Sequence, residues 1–269
     1  MDLQRRHIQL QGSSNLRDIG GYRTADGRQV RWGRVFRSGS LWGLTEADWR
    51  WMDARGFALL CDLRSDAERE LAPNIWRVDA PPRVVSKTYD GAGLFSRRGL
   101  TEASGVGAIE GMLYVQFARL LAPSLRGLFL ALQQGDAPAL VHCTAGQDRT
   151  GLAIALLLEA LGVDRKTIHA DYLLSTELRR PECEIDRASL ADRASTNIVA
   201  AFYTDLLART GEDAFRPKRL VDAAGQPLVD IALAAIASEW GSTAAYLERE
   251  LGIGPEQLAG LRNYLTEPA

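Results

Sequence analysis

Apolar residues along this chain gather in short blocks between polar turns, and the spacing inside each block predicts its element. Residues 28 to 37, RQVRWGRVFR, alternate Val, Trp and Phe with Arg, a period-two pattern that predicts a half-exposed strand. A helix start follows: Thr45 is an N-cap with an acid three residues on, and Leu44 and Trp49 occupy the positions of a hydrophobic staple. That helix should run to about Gly56. Phe57 to Cys61 is a continuous apolar run that ends in Asp62-Leu63-Arg64-Ser65, as a buried strand does when it delivers polar residues to a loop. A second such run covers Arg83 to Tyr89. Residues 90 to 108 are rich in Gly and Ser and lack periodicity, which predicts a mobile loop near a site.

From 112 to 134 apolar positions recur at helical spacing, interrupted at Pro123, and lead through Gly135 and Asp136 to a third strand over Pro138 to Val141. Leu152 to Leu161 is apolar on nearly every face, the pattern of a helix buried on most sides, and Gly162 closes it. Residues 164 to 210 are helical but more polar, broken at Arg179-Arg180-Pro181, and read as a helical insertion or lid. Two helices finish the chain, one with Leu233, Ile236, Ala237 and Trp240 on a shared face, the other opened by Pro255 with Leu258, Leu261 and Leu265 on one side.

Composition narrows the picture without choosing a function. A length of 269 residues, 46% of them hydrophobic, suits one α/β domain able to bury a large core. With 32 Lys and Arg against 34 Asp and Glu there is no basic field to hold nucleic acid or a membrane surface, so any anion recognition must be local. Cys61, Cys143 and Cys183, with three scattered histidines, build neither a disulfide framework nor a zinc ribbon, and a reducing, cytoplasmic setting fits them. The first fifteen residues have no apolar region after their arginines and do not read as a signal peptide. The longest strongly apolar run, Leu152 to Leu158, falls short of the roughly 20 residues a membrane span needs, so no stable membrane insertion is expected.

The chemistry concentrates in His142-Cys143-Thr144-Ala145-Gly146-Gln147-Asp148-Arg149-Thr150-Gly151, which lies between the third strand and the buried helix. Backbone N–H groups of such a turn and of the helix's first turn lack intrahelical partners and converge on a pocket of positive potential, where an anion belongs. That field, with Arg149 nearby and a hydroxyl from Thr150, favours Cys143 as a thiolate nucleophile. The planar fork of Arg149 can hold two oxygens of a phosphate while the phosphoryl group moves to sulfur. Gly146 permits a positive φ or close backbone approach, and Gly151 permits tight packing at the helix start. Asp148 is the candidate acid for the leaving oxygen and the base for hydrolysis of the intermediate; its alternative role is a favourable charge in the first helical turn. The side chain of His142 should brace the loop.

These residues resemble the cysteine-dependent protein tyrosine phosphatase superfamily, with its His-Cys-x5-Arg-Ser/Thr signature, and more closely its bacterial tyrosine/serine, lipid-phosphatase-like branch. Residues 15–21, 36–41 and 62–68, Trp240-Gly241-Ser242 and Tyr246-Leu247 carry the closer likeness. The resemblance implies an α/β fold with a central, mostly parallel sheet flanked by helices, one phosphatase domain over 1–269, a lid at about 180–210, a phosphocysteine intermediate, and neither metal nor cofactor. It implies catalytic Cys143, Asp148 and Arg149, a substrate cradle of Thr144, Ala145, Gly146, Gln147 and Thr150, and loop support from His142. Arg17 and Asp18 are expected to pair and buttress the loop, and Arg64 to pair at the surface or touch substrate. The expected substrates are phosphorylated proteins or small phosphomonoesters. The branch usually has lysine where Gln147 stands, which weakens the case for highly charged lipid headgroups. Phosphoinositide hydrolysis, phosphate binding without turnover and rhodanese-like sulfur transfer are the rival functions.

Overall fold

Four consecutive buried residues, Ala139–His142, form the central strand of the computed structural model, which describes residues 2–77, 79–89 and 106–269, with backbone alone for 106–112. The strands are β1 (Arg17–Asp18), β2 (Arg28–Val30), β3 (Val35–Ser38), β4 (Leu59–Asp62), β5 (Arg83–Ser86), β6 (Ala139–His142) and β7 (Thr266–Pro268). The main sheet runs β1-β3-β6-β4-β5, parallel from β3 to β5, with β1 antiparallel at the edge. The helices are α1 (Leu3–Arg6), α2 (Glu46–Arg55), α3 (Asp66–Leu71), α4 (Val106–Gln133), α5 (Asp148–Ala160), α6 (Arg165–Leu178), α7 (Leu190–Arg193), α8 (Ile198–Thr210), α9 (Val229–Trp240), α10 (Thr243–Arg249) and α11 (Pro255–Leu265). A parallel sheet is covered on both faces, and the period-two rule divides its side chains accordingly. Leu59 and Cys61 of β4, with Ala139 and Val141 of β6, enter the large core under α4, α5, α9 and α11. Phe36, Leu60 and Leu140 point the other way, onto Trp49 and Met52 of α2.

The start of α2 follows from its sequence. Thr45 accepts from the amide of Asp48, Asp48 accepts from the amide of Thr45, and Gly56 closes the helix at φ 61°. The helix opening at Ser65 is built the same way, with Glu68 in the reciprocal position. That second capping box fixes the backbone from which Glu68 reaches the loop after β6.

Three expectations are corrected. Residues 28 to 37 are two strands in different sheets: β2 pairs with β7 at the chain's end, and the chain turns at Gly33, φ 73°, before β3 joins β6. Alternation continues through that turn because Trp32 packs back on Gly20 and Gly21, so hydrophobicity alone hides the break. Pro123 does not interrupt its helix; α4 runs through it. The missing hydrogen bond costs about 3 kcal/mol, but Leu121, Leu125, Leu128, Phe129 and Leu132 are wholly buried, and each contributes about 2 kcal/mol. The run from Arg83 stops as a strand at Ser86. Tyr89 lies beyond it, and its hydroxyl donates to the Leu63 carbonyl at 2.8 Å.

The loop expected over 90 to 108 falls outside the described residues as far as 105, and from Val106 the chain is helical. Within α4, Leu113–Gln133 is long and apolar enough to cross a membrane, a property the interrupted pattern concealed. Here it packs against the sheet, α5, α9 and α11. Residues 180 to 210 hold short helical turns, α7 and α8. Ile185, Leu190, Val199 and Ala200 join Phe215 in a small core of their own against Leu71 of α3 and Ala72 just after it.

Candidate active site

β6 ends at His142 and α5 begins at Asp148, so Cys143 to Gln147 must turn the chain. The carbonyls of this turn are tied outward. That of Thr144 accepts from the Ser40 amide at 2.8 Å, that of Ala145 from Asn15 Nδ2 at 3.1 Å, and that of Gly146 from Asn15 Nδ2 at 2.8 Å and Arg37 Nη2 at 2.9 Å. In a planar trans peptide the following N–H points opposite to the carbonyl, so the amides of Ala145, Gly146 and Gln147 face the other side. Among the described residues the amides of 144 to 147 make no hydrogen bond. Together with the open amides at the N-terminus of α5 they form an anion nest. Gly146 is required here: its φ is 67°, and a Cβ would sit 2.4 Å from the Ser38 carbonyl oxygen.

Arg149 closes one side of the nest. Its two terminal nitrogens donate to the two oxygens of Glu68, at 2.6 and 2.7 Å, and Nη1 also reaches Tyr89 Oη at 2.9 Å. This spends the end of the guanidinium. Nε makes no hydrogen bond among the described residues, and with the second hydrogen of Nη2 it leaves a two-pronged edge open. Burial opposes the charge on Glu68, yet the Arg149 cation and hydrogen bonds from Arg149, Thr144 and Ser65 pull its carboxyl down to about 2. Burial likewise opposes the charge on Arg149, and Glu68 more than offsets it, holding the guanidinium well above its usual range. The pair is ionised throughout the physiological range.

Beneath the loop lies a second charge cluster. Arg17 Nε and Arg37 Nη1 donate to the two oxygens of Asp171, at 3.0 and 2.6 Å, and both arginines also bond Ser175 Oγ. Arg17 further donates to Asn15 Oδ1, so the Asn15 amide is held with its nitrogen toward the loop carbonyls. Burial and then the neighbouring Arg37 bring Arg17 down to about 10. On the far side, the ring of His142 is wholly buried and brought down to about 4, chiefly by that burial, and so is neutral. Its Nδ1 donates to the Cys143 carbonyl at 3.2 Å, and its Nε2 accepts from Asn74 Nδ2 at 3.2 Å.

The named loop residues differ in what they do. Cys143 is 2% exposed and Arg149 9%, while Ala145 and Asp148 are half-buried. The Thr144 hydroxyl donates to Glu68 Oε1 at 2.5 Å and is not free for substrate. Gln147 Oε1 accepts from Arg179 Nη1 at 3.1 Å, and its Nε2 has no partner among the described residues. The hydroxyl of Thr150 is buried and has no hydrogen-bond partner among the described residues, so the contact expected with Cys143 is not formed. Asp148 Oδ1 accepts from the hydroxyl of Tyr114 on α4.

Two expected roles are corrected. Arg17 and Asp18 do not pair, because neighbours on a strand point to opposite faces. Asp18 instead accepts from the amides of Gly20 and Gly33, at 2.7 Å each. Arg64 does not reach the nest: its Nε and Nη2 bind the carboxylate of Asp62 and its Nη1 the Ala72 carbonyl at 2.6 Å, leaving it 1% exposed. Asn15, Arg37, Glu68, Tyr89, Tyr114 and Asp171 had no role assigned from sequence. For Glu68 a signal existed, since Ser-x-x-Glu directly after a buried strand fixes an acid near that strand's C-terminal end.

A buried cysteine under a turn of free amides, with an arginine edge at its rim, defines a site for a tetrahedral anion on a strand-turn-helix frame. The chain belongs to the tyrosine phosphatase family, which it matches over residues 8–267. It is 32% identical over 252 residues to a Cupriavidus necator protein named "putative tyrosine-protein phosphatase", covering 92% of this chain and 85% of that one. It is 28% identical over 290 residues to the triple specificity protein phosphatase PtpB of Mycobacterium tuberculosis, covering 96% and 98%. A tyrosine-protein phosphatase of Nostoc commune is 28% identical over 231 residues, covering 84% of this chain and 72% of that protein. This protein is thus a phosphoric monoester hydrolase of the tyrosine phosphatase class.

Proposed function

We propose that this chain hydrolyses phosphotyrosine esters through a phosphocysteine at Cys143, without a metal ion. The thiolate Sγ attacks phosphorus, a P–S bond forms, and the P–O bond to the tyrosine oxygen breaks as Asp148 gives that oxygen its proton. Water then attacks phosphorus, Asp148 takes a proton from it, and the P–S bond breaks to release inorganic phosphate. The nest amides and the open edge of Arg149 hold the equatorial oxygens through both steps. The observation that carries this reading is that edge. Glu68 occupies one end of the guanidinium and leaves Nε and Nη2 for a bidentate grip.

The neutral Gln147, with Arg179 beside it already matched by Glu184 at 2.8 Å, supports phosphotyrosine ahead of phosphoinositide headgroups. Residues 180 to 210 act as a lid in this proposal: Cys143 is almost unexposed, and Tyr203 of α8 lies within the fields of Arg179, Glu184, Glu68 and Arg149. The three free thiols suit a reducing cytoplasm.

Hydrolysis of 4-nitrophenyl phosphate should continue undiminished in a metal chelator and vanish in Cys143→Ser. Phosphotyrosine peptide should exceed phosphoserine peptide and phosphoinositide in kcat/KM. Turnover surviving in Cys143→Ser, or phosphopeptide binding with no turnover in the intact chain, would sink the proposal.

A further inference from the structure

Three helices meet at the first turn of α5, and the polar contact there is not explained by packing. Tyr114 of α4 and Tyr172 of α6 are 3% and 1% exposed, their hydroxyl oxygens lie 2.5 Å apart, and the Tyr114 hydroxyl also meets Asp148 Oδ1. Two phenylalanines would fill this space without burying two hydroxyls. Oδ1 only accepts, both in the carboxylate and in the acid whose proton sits on Oδ2, so Tyr114 spends its one proton on Asp148 and must accept from Tyr172. The order of donation is Tyr172 to Tyr114 to Asp148, and each link strengthens the next. Burial, then the Asp148 charge, keeps the Tyr114 phenol well above its usual range, so the donor is not lost with rising pH. Gly151 admits the Tyr172 ring to this place, since a Cβ there would lie 2.6 Å from it.

We infer that Tyr114, backed by Tyr172, is a positioning residue that dictates which oxygen of Asp148 carries the catalytic proton, a step that rests on Asp148 being the acid of the proposed reaction. With Oδ1 held by the phenol, Oδ2 is the oxygen left for the proton, and among the described residues it makes no hydrogen bond. Without the phenol the carboxyl turns about its last torsion and presents either oxygen. Proton transfer then loses alignment, while phosphate binding by the nest and Arg149 is untouched.

The test compares phenyl phosphate, whose leaving group needs a proton, with dinitrophenyl phosphate, whose leaving group does not. Tyr114→Phe should lower kcat for phenyl phosphate about tenfold at constant KM and change dinitrophenyl phosphate by less than about twofold. Tyr172→Phe should show the same split more weakly, and it serves in place of Tyr114→Phe if that variant does not melt like the parent protein. In an Asp148→Asn background, Tyr114→Phe should add nothing, whereas a packing defect would add its full cost. Equal losses on both esters, or a full further loss in the double variant, would overturn the inference. Should Asp148→Asn alone slow both esters equally, the acid assignment itself falls and takes the inference with it, and that result is read with Tyr114 in place.

Discussion

Glu68 shows how one carboxylate can set an active-site arginine. Buried at 4% exposure, it bonds both terminal nitrogens of Arg149, the hydroxyl of Thr144 and the cap at Ser65, so helix α3 and the loop after β6 share one anchor. Removing its charge leaves a buried guanidinium without a counter-ion, which is among the costlier single changes a protein sustains. Glu68→Gln keeps the shape and some hydrogen bonding but lets the arginine edge swing. Since a displacement near 1 Å costs about a hundredfold in rate, kcat/KM for 4-nitrophenyl phosphate should fall by that order. Steady-state kinetics checks this, and activity within about twofold of the parent protein would mean that Arg149 is held by other groups.

At the scale of elements, the close approach of α5 and α6 rests on Gly151. An alanine there would put Cβ 2.6 Å from the ring of Tyr172. Helix propensity favours alanine by about 1 kcal/mol, while forcing a methyl into a packed contact costs about 1–3 kcal/mol. The steric cost wins, so Gly151→Ala should lower stability in urea titration and slow phenyl phosphate turnover by displacing Tyr172. A gain in stability would show that the ring moves freely. The α2 cap, the strands at Leu59 and Ala139 and the packing role of Gly151 were legible in sequence because each depends on neighbours in the chain or on a strict period. The break of 28 to 37 and the continuity of α4 through Pro123 were not, since each is decided by distant partners: β7 for the one, a buried face against the sheet for the other. The same holds within the site. Cys143 and Arg149 stand in one motif, but Glu68, Tyr114 and Asp171 come from three other helices.

Over the whole molecule, charge is near balance at −2, yet two clusters of buried ionisable groups gather at the C-terminal ends of the parallel strands. Asp62, Glu68, His142, Arg64 and Arg149 occupy one side of the loop, and Arg17, Arg37 and Asp171 lie under it. Folding therefore fixes protonation states that the unfolded chain does not share, and stability must depend on pH. His142 is brought down from 6.5 to about 4 by burial, so between these values the unfolded chain binds a proton that the native ring refuses. Its contribution is complete above 6.5 and is lost as pH falls toward 4, a change of up to about 3 kcal/mol. Glu68 acts lower: its carboxyl is held at about 2 against an ordinary 4.5, so its contribution is complete above 4.5 and disappears below. The melting temperature should accordingly be flat above pH 7, decline from 6.5 downward, and keep falling below 4.5 as the Arg149 pair is neutralised. His142→Gln should be less stable at pH 7 and should lose most of the slope between 6.5 and 4.5, keeping only the smaller part that His7, whose ring burial also pulls down, contributes in that window, before the Glu68 descent begins. Melting curves across that range decide it: a variant that keeps the parental slope between 6.5 and 4.5 would assign the acid lability to groups other than the buried imidazole.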